Sequence, residues 1–229
     1  SQVGIQNNFY LITHMKKIKF AIAGFFVGIA EVIPGISGST IALFFGVYKT
    51  LIAFFANIKF KNFKSIKKIR SAFFLELMIP FILSMLFAII FFSRIVLFLY
   101  SSYEAIFLNF LGLIMIFIAF KIFLKYKSKF KLAYFFIGIL ISLLINQIPV
   151  FQENSNPFVL LMLGLIAVTF FLLPGISGSA ILLIPGGYRL VIESIALFDL
   201  SIIIPFFFGC LVGILLVSNY INEVLLKQE

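Results

Sequence analysis

Long apolar stretches alternate with short polar breaks along this chain, and the breaks are of two kinds. Some are basic loops. The others are a hexapeptide, PGISGS, found at 34–39 and again at 174–179. Apolar residues run over 20–33 and, past the first hexapeptide, over 40–56. Further runs cover 71–92, 104–124 and 132–148. The last set is 156–173, then 180–198 past the second hexapeptide, then 201–218. A crossing helix needs about 20 residues at 1.5 Å each to cover roughly 30 Å of hydrocarbon. Residues 71–92 and 104–124 meet that length, and 132–148 just does. Residues 20–33 would reach only about 21 Å and 40–56 about 25 Å. Together they are too long for one crossing and too short for two. Proline and two glycines end a helix and permit a sharp reversal. The pair therefore predicts a re-entrant hairpin, with a single broken, tilted helix as the competing reading.

Composition makes this a membrane protein. Hydrophobic residues are 63% of the chain and charged residues 11%, where a soluble domain carries roughly 25% charged residues. In 229 residues there is no room for a sizeable soluble domain as well. The formal net charge is +10, but it sits in short loops. That excludes nucleic acid as the implied partner and points to the positive-inside rule and anionic lipid headgroups.

Charge then orients the segments. Lys16, Lys17 and Lys19 precede the first hexapeptide unit, and Lys59, Lys61, Lys64, Lys67, Lys68 and Arg70 follow it. Both flanks are predicted cytoplasmic, so the first unit enters and leaves on that side. Residues 71–92 cross outward and 104–124 return to Lys121, Lys125, Lys127, Lys129 and Lys131. Residues 132–148 cross outward to the loop PVFQENSNP, which has no basic residue. The second unit enters and leaves outside, and 201–218 bring Lys227 back, with both termini cytoplasmic. Three crossings between the units invert the second.

The repeat extends past the hexapeptide to Tyr48 and Tyr188, and IPFILSMLFAII from Ile79 resembles IPFFFGCLVGIL from Ile204. The predicted fold is thus an all-α integral membrane protein of the cytoplasmic membrane. It is an inverted-topology repeat: two re-entrant helical hairpins broken at PGISGS plus about four transmembrane helices. Repeat 1 covers about 20–92, linking helices 104–148, and repeat 2 about 156–218. Residues 1–14 are set apart as an upstream tail before a single membrane domain, 15–229. The segment from Met15 has the outline of a signal peptide, but it runs into Glu31 and the hexapeptide without a convincing cleavage site. It is read as a retained first segment.

Irregular backbone at membrane depth is tolerated only where protein buries it or a polar cavity adjoins it. The outgoing half-helices begin at 37–40 and 177–180, where free N–H groups and the positive dipole end concentrate. Gly35, Ser37, Gly38, Ser39 and Thr40, with Gly175, Ser177, Gly178 and Ser179, are therefore candidates to hold an anion such as phosphate or carboxylate. Two alternatives stay open. Glycine and serine also let helices pack closely, and the carbonyls ending the incoming half-helices could hold a cation.

Lys49 and Arg189 follow the shared tyrosines, flanking the candidate site or snorkelling to the nearest interface. Arg94 and Arg189 fall on the side where the positive-inside pattern expects no basic residue, so both are candidate ligand contacts. Glu31 stands where the second copy has Phe171, roughly 16 Å into the first half-helix. A carboxylate at that depth is costly and usually functional. It is the candidate for proton coupling, the alternative being a pairing with Lys49 or a loop hydroxyl. Glu193 is expected to pair with Arg189 at i,i+4, Glu104 to form a capping box with Ser101, and Asp199 to cap the last helix. The chain has one cysteine, Cys210, and one histidine, His14, in the upstream tail. No internal disulfide, metal site or cofactor is implied, and no nucleophile–base pair suggests an enzyme. Cys210 is expected simply to pack between helices.

The segments AEVIPGISGSTIALFFGVY and LLPGISGSAILLIPGGY resemble the two signature segments of the bacterial and archaeal polyprenyl-phosphate transporter family. The resemblance covers nearly all of 16–218. Members usually carry Asp where Glu31 stands and often Gly where Ser39 stands. The resemblance implies a flippase for a polyprenyl-phosphate lipid. It would return undecaprenyl phosphate, the lipid carrier of cell-wall precursors, from the outer to the inner leaflet for peptidoglycan synthesis. The phosphate would sit between the two loops while its chain stays in lipid, which calls for a lateral groove. Rival readings are a channel or carrier for a small soluble anion, a lipid phosphatase, and a structural membrane subunit. Tail-length selectivity, coupling ion and oligomeric state are open at this level.

Overall fold

The computed structural model describes residues 2–58, 73–125, 131–145 and 156–227, and all regular structure among them is helical. The basic cluster at 59–70, Lys127, Lys129 and most of the PVFQENSNP loop lie outside the described residues. Among the described residues the helical elements are, in order, α1 (Gln2–Val32), α2 (Gly38–Phe44), α3 (Tyr48–Ala56), α4 (Leu75–Lys125, kinked at Tyr103), α5 (Lys131–Ile145), α6 (Pro157–Phe171), α7 (Gly178–Leu183), α8 (Gly187–Leu197) and α9 (Leu200–Leu226). Two of them contain stretches long and apolar enough to cross a membrane, Leu75–Lys121 and Leu200–Leu226. With α6 and many large apolar side chains facing outward, such as Phe44, Leu113 and Phe207, they make this a membrane protein.

The helix limits follow from local chemistry. Asn156 caps α6 by accepting from Phe158 N–H at 2.9 Å, with Pro157 in the first turn. Asp199 caps α9, accepting from Ser201 N–H at 3.0 Å, as the sequence predicts. The predicted capping box at Ser101 does not form. Its hydroxyl donates back to Leu97 C=O at 2.8 Å, and helix continues on both sides of a single break at Tyr103 (φ −141°, ψ 40°). The two predicted segments therefore lie in two helices that meet directly at the Tyr103 kink, with no loop between them. α1 likewise runs without a break through the residues set apart as a tail.

Packing repeats itself. α1 lies against α4, and α6 lies against α9. Gly24 and Gly28 in α1 meet the carbonyls of Phe81 and Met85, while Gly164 meets Phe206 C=O and Gly209 meets Leu161 C=O. A side chain at these glycines would strike backbone, so the helices approach as closely as small residues allow. The remaining contacts exchange partners: α3 of the first copy packs on α9 of the second, and α8 of the second packs on α4 of the first.

Two apolar cores result. The first gathers Val27, Ala42, Ile52 and Phe81, and Leu172 from the end of α6 joins it. The second gathers Leu160, Leu182, Val191 and Ile192, and Val32 from the end of α1 joins it. Each core thus includes the residue that leads into the other copy's hexapeptide.

Candidate functional site

Each hexapeptide builds the same turn. Gly35 and Gly175 sit at φ 92° and 91°, a left-handed conformation that a side chain would strain. Two residues on, Ser37 (φ −93°, ψ 117°) and Ser177 (φ −97°, ψ 121°) are extended and cap the next short helix. The Ser37 hydroxyl accepts from Thr40 N–H at 3.3 Å, and the Ser177 hydroxyl from Ala180 N–H at 3.3 Å. In each copy the capping serine also bonds the serine two residues later, Ser37 to Ser39 and Ser177 to Ser179, at 3.0 Å. All four serines are buried.

The two turns meet. Ser39 Oγ donates to Leu173 C=O at 3.1 Å, and Gly175 N–H donates to Thr40 Oγ1 at 2.9 Å. Two tyrosines tie each loop to the opposite helix. Tyr48 Oη donates to Leu172 C=O and Tyr188 Oη to Val32 C=O, both at 2.7 Å, with both rings buried. The carbonyls of Val32, Leu172 and Leu173, at the ends of the incoming helices, therefore already accept hydrogen bonds. The tyrosines had a signal in the sequence, since they occupy one position of both copies. Their role was hidden because each bonds across to the other copy.

Glu31 breaks the symmetry. Its Oε1 accepts from Gly38 N–H at 3.0 Å, so a carboxylate of the chain itself lies at the start of α2. The pairing is with a backbone amide rather than with a loop hydroxyl. In the second copy Phe171 takes that position, and its Cβ lies near Gly178.

The cations lie further out. Arg189 stacks over the Tyr100 ring at 5.4 Å and pairs with Glu193 at 3.9 Å, the expected i,i+4 contact. Arg94 stacks over the Phe198 ring at 5.6 Å. Phe198 ends α8 at φ 59°, a left-handed conformation unusual for a bulky residue. Arg189 and Arg94 thus mark the two ends of α8, which nine residues set roughly 13 Å apart. Lys49 lies exposed on α3, which packs on α9 instead. Cys210 does pack between helices, its thiol donating to Gly164 C=O at 3.4 Å. No His, Cys, Asp and Glu cluster able to hold a metal occurs among the described residues.

Paired serine-capped turns bonded face to face, inside a helical membrane protein, are a structure specific enough to compare with known families. The VCA0040-like family, described as undecaprenyl phosphate translocase-like, matches residues 27–229. The chain belongs to this family. A curated relative, the polyprenyl-phosphate transporter of Vibrio cholerae serotype O1, is 30% identical over 227 residues, covering 96% of this chain and 71% of the relative. That relative is named as a transporter and not as an enzyme. No solved structure matches the chain. For a translocase-like family, the notable feature is that the matched residues include both hexapeptide turns, Glu31 and both arginines.

Proposed function

We propose that this protein carries undecaprenyl phosphate from the outer to the inner leaflet of the cytoplasmic membrane, for reuse in cell-wall synthesis. The observation that carries this reading is the meeting of the two PGISGS turns through Ser39–Leu173 and Gly175–Thr40, in a chain of the translocase-like family. The two units are read as re-entrant hairpins related by inversion. α6 supports this: its 15 residues rise only about 22 Å, short of the roughly 30 Å crossing. The reciprocal tyrosine bonds and exchanged helices also suit two copies related by a two-fold axis.

In this reading Arg94 at the outer end of α8 meets the headgroup first and Arg189, nearer the loops, receives it. The Arg189–Glu193 pair is exposed and worth about 0–1 kcal/mol, so a phosphate can displace it. Ser37, Ser39, Thr40, Ser177 and Ser179, with the glycine backbone of both turns, then hold the phosphate midway. Lys49 waits toward the cytoplasm. Glu31 couples the step to protons: while ionised, its charge opposes a phosphate near Gly38, and protonation removes that opposition.

The test is leaflet-resolved accessibility of undecaprenyl phosphate in proteoliposomes. Unaltered protein should redistribute the lipid between leaflets. Arg189→Ala should slow redistribution by about tenfold, the worth of one charge-assisted contact of 1.5 kcal/mol or so. Redistribution no faster than in protein-free vesicles would refute the reading.

A further inference from the structure

A partly open cavity of about 210 Å³ lies against the second turn, lined by Gly178 and Ser179 of that turn, by Glu31 and Val32 at the end of α1, and further by α4, α6, α7, α8 and α9. Its far wall is hydrocarbon: Met85, Val168, Leu182, Ile192 and Phe206. Each polar side chain on it already makes a hydrogen bond elsewhere. Glu31 holds Gly38 N–H, Ser179 holds Ser177, Tyr188 donates to Val32 C=O, and the Cys210 thiol donates to Gly164 C=O. Buried water needs two to four polar partners, and the hydrocarbon part of this wall offers none. The wall therefore suits a hydrocarbon occupant.

The two copies are packed differently at corresponding positions. Leu182, Ile192 and Phe206 correspond in the repeat to Ala42, Ile52 and Phe81. Those three are 0% exposed and close the first core, whereas Leu182 and Ile192 keep 5% and 6% and Phe206 is half-buried. Packing is tighter at the first copy's three positions than at the second copy's, which line the cavity.

We propose that this hollow receives the isoprenoid units nearest the phosphate, while the rest of the chain lies in the bilayer. This rests on the headgroup reading above: a phosphate held at Ser177 and Ser179 has its chain attached directly, and Ser179 lines the apolar slot. A ~150 Å³ cavity of similar lining accepts benzene, so this one has room for roughly five to ten branched carbons. The occupant is assigned as the polyprenyl chain rather than a bilayer acyl chain because Gly178 and Ser179 of the serine turn form part of the slot's wall.

The experiment uses a farnesyl phosphate bearing a diazirine on its second isoprene unit, photolysed with the full-length protein in lipid vesicles. Adducts should map to Met85, Val168, Ile192 and Phe206, and excess undecaprenyl phosphate should abolish them. Ile192→Trp, which fills the slot, should cut labelling about tenfold. Phe207→Trp on the outward face should leave labelling unchanged, with melting temperature checking that both variants fold. Adducts in the slot that undecaprenyl phosphate does not compete would identify a bilayer acyl chain and overturn the assignment. Competed adducts confined to outward-facing residues would overturn it while leaving the headgroup reading standing. No competed adduct anywhere would remove the headgroup reading and this inference with it.

Discussion

The first turn carries a carboxyl group of its own and the second does not, because Glu31 sits on Gly38 N–H where the other copy has Phe171. A phosphate at the paired turns would feel its charge whenever that carboxyl is ionised. Two unit charges about 8 Å apart interact by about 2 kcal/mol at an effective dielectric near 20. That is about 30-fold in affinity. By linkage, whatever protonation does to phosphate binding, phosphate does equally to protonation. Glu31→Gln keeps a carbonyl oxygen for Gly38 N–H and deletes the charge. The expected outcome is tighter binding of phosphate-headed lipid wherever the parent's carboxyl is ionised, by up to about 30-fold, with the pH dependence of binding gone. Transport should become indifferent to an imposed proton gradient. Binding titrations at several pH values decide this, and a variant that keeps the parent's pH profile removes Glu31 from the coupling.

At the scale of elements, the copies are laced together by Tyr48 and Tyr188. Each hydroxyl satisfies a carbonyl at the end of a helix from the other copy, where the backbone has run out of intrahelical partners. Tyr48→Phe and Tyr188→Phe keep the ring and orphan that carbonyl, so each should cost about 1–3 kcal/mol. Because the two sites have equal geometry, the losses should be similar. Thermal unfolding in detergent measures both, and two unchanged melting temperatures would mean the lacing contributes nothing.

Much of this level was legible in the sequence. Proline, glycine and serine at fixed spacing announced both turns, Asp199 announced the start of α9, and the Arg189–Glu193 spacing announced their pair. Other features were not legible, for physical reasons. Ser101 and Glu104 have the spacing of a capping box, but the helix break falls at Tyr103 and the Ser101 hydroxyl donates back to Leu97 C=O within the preceding helix. The exchange of α3 and α8 between copies rests on contacts between residues remote in sequence, which a one-dimensional pattern does not encode. The bond from Glu31 to Gly38 joins two residues separated by a turn whose shape had to be known first. The cavity was invisible for the same reason: its corresponding positions are apolar in both copies, and only packing makes them differ.

At the scale of the molecule, everything depends on whether the copies face opposite ways. Lys49 and Arg189 occupy one position of the repeat and are both exposed. In an inverted pair they lie on opposite sides of the membrane midplane, and in a parallel pair on the same side. Cysteine placed at either site, in a Cys210→Ala background, turns that difference into a labelling pattern. A membrane-impermeant maleimide added to intact cells should label Arg189→Cys and spare Lys49→Cys. Inverted vesicles should give the reverse. The inversion matters because the two turns already bond to each other. If they arrive from opposite faces, closing the packing beside one and opening it beside the other would transfer a ligand held between them from one leaflet to the other. Labelling of both positions from one face would leave the same paired turns with access to a single leaflet. The fold could then bind the lipid phosphate but could not return it.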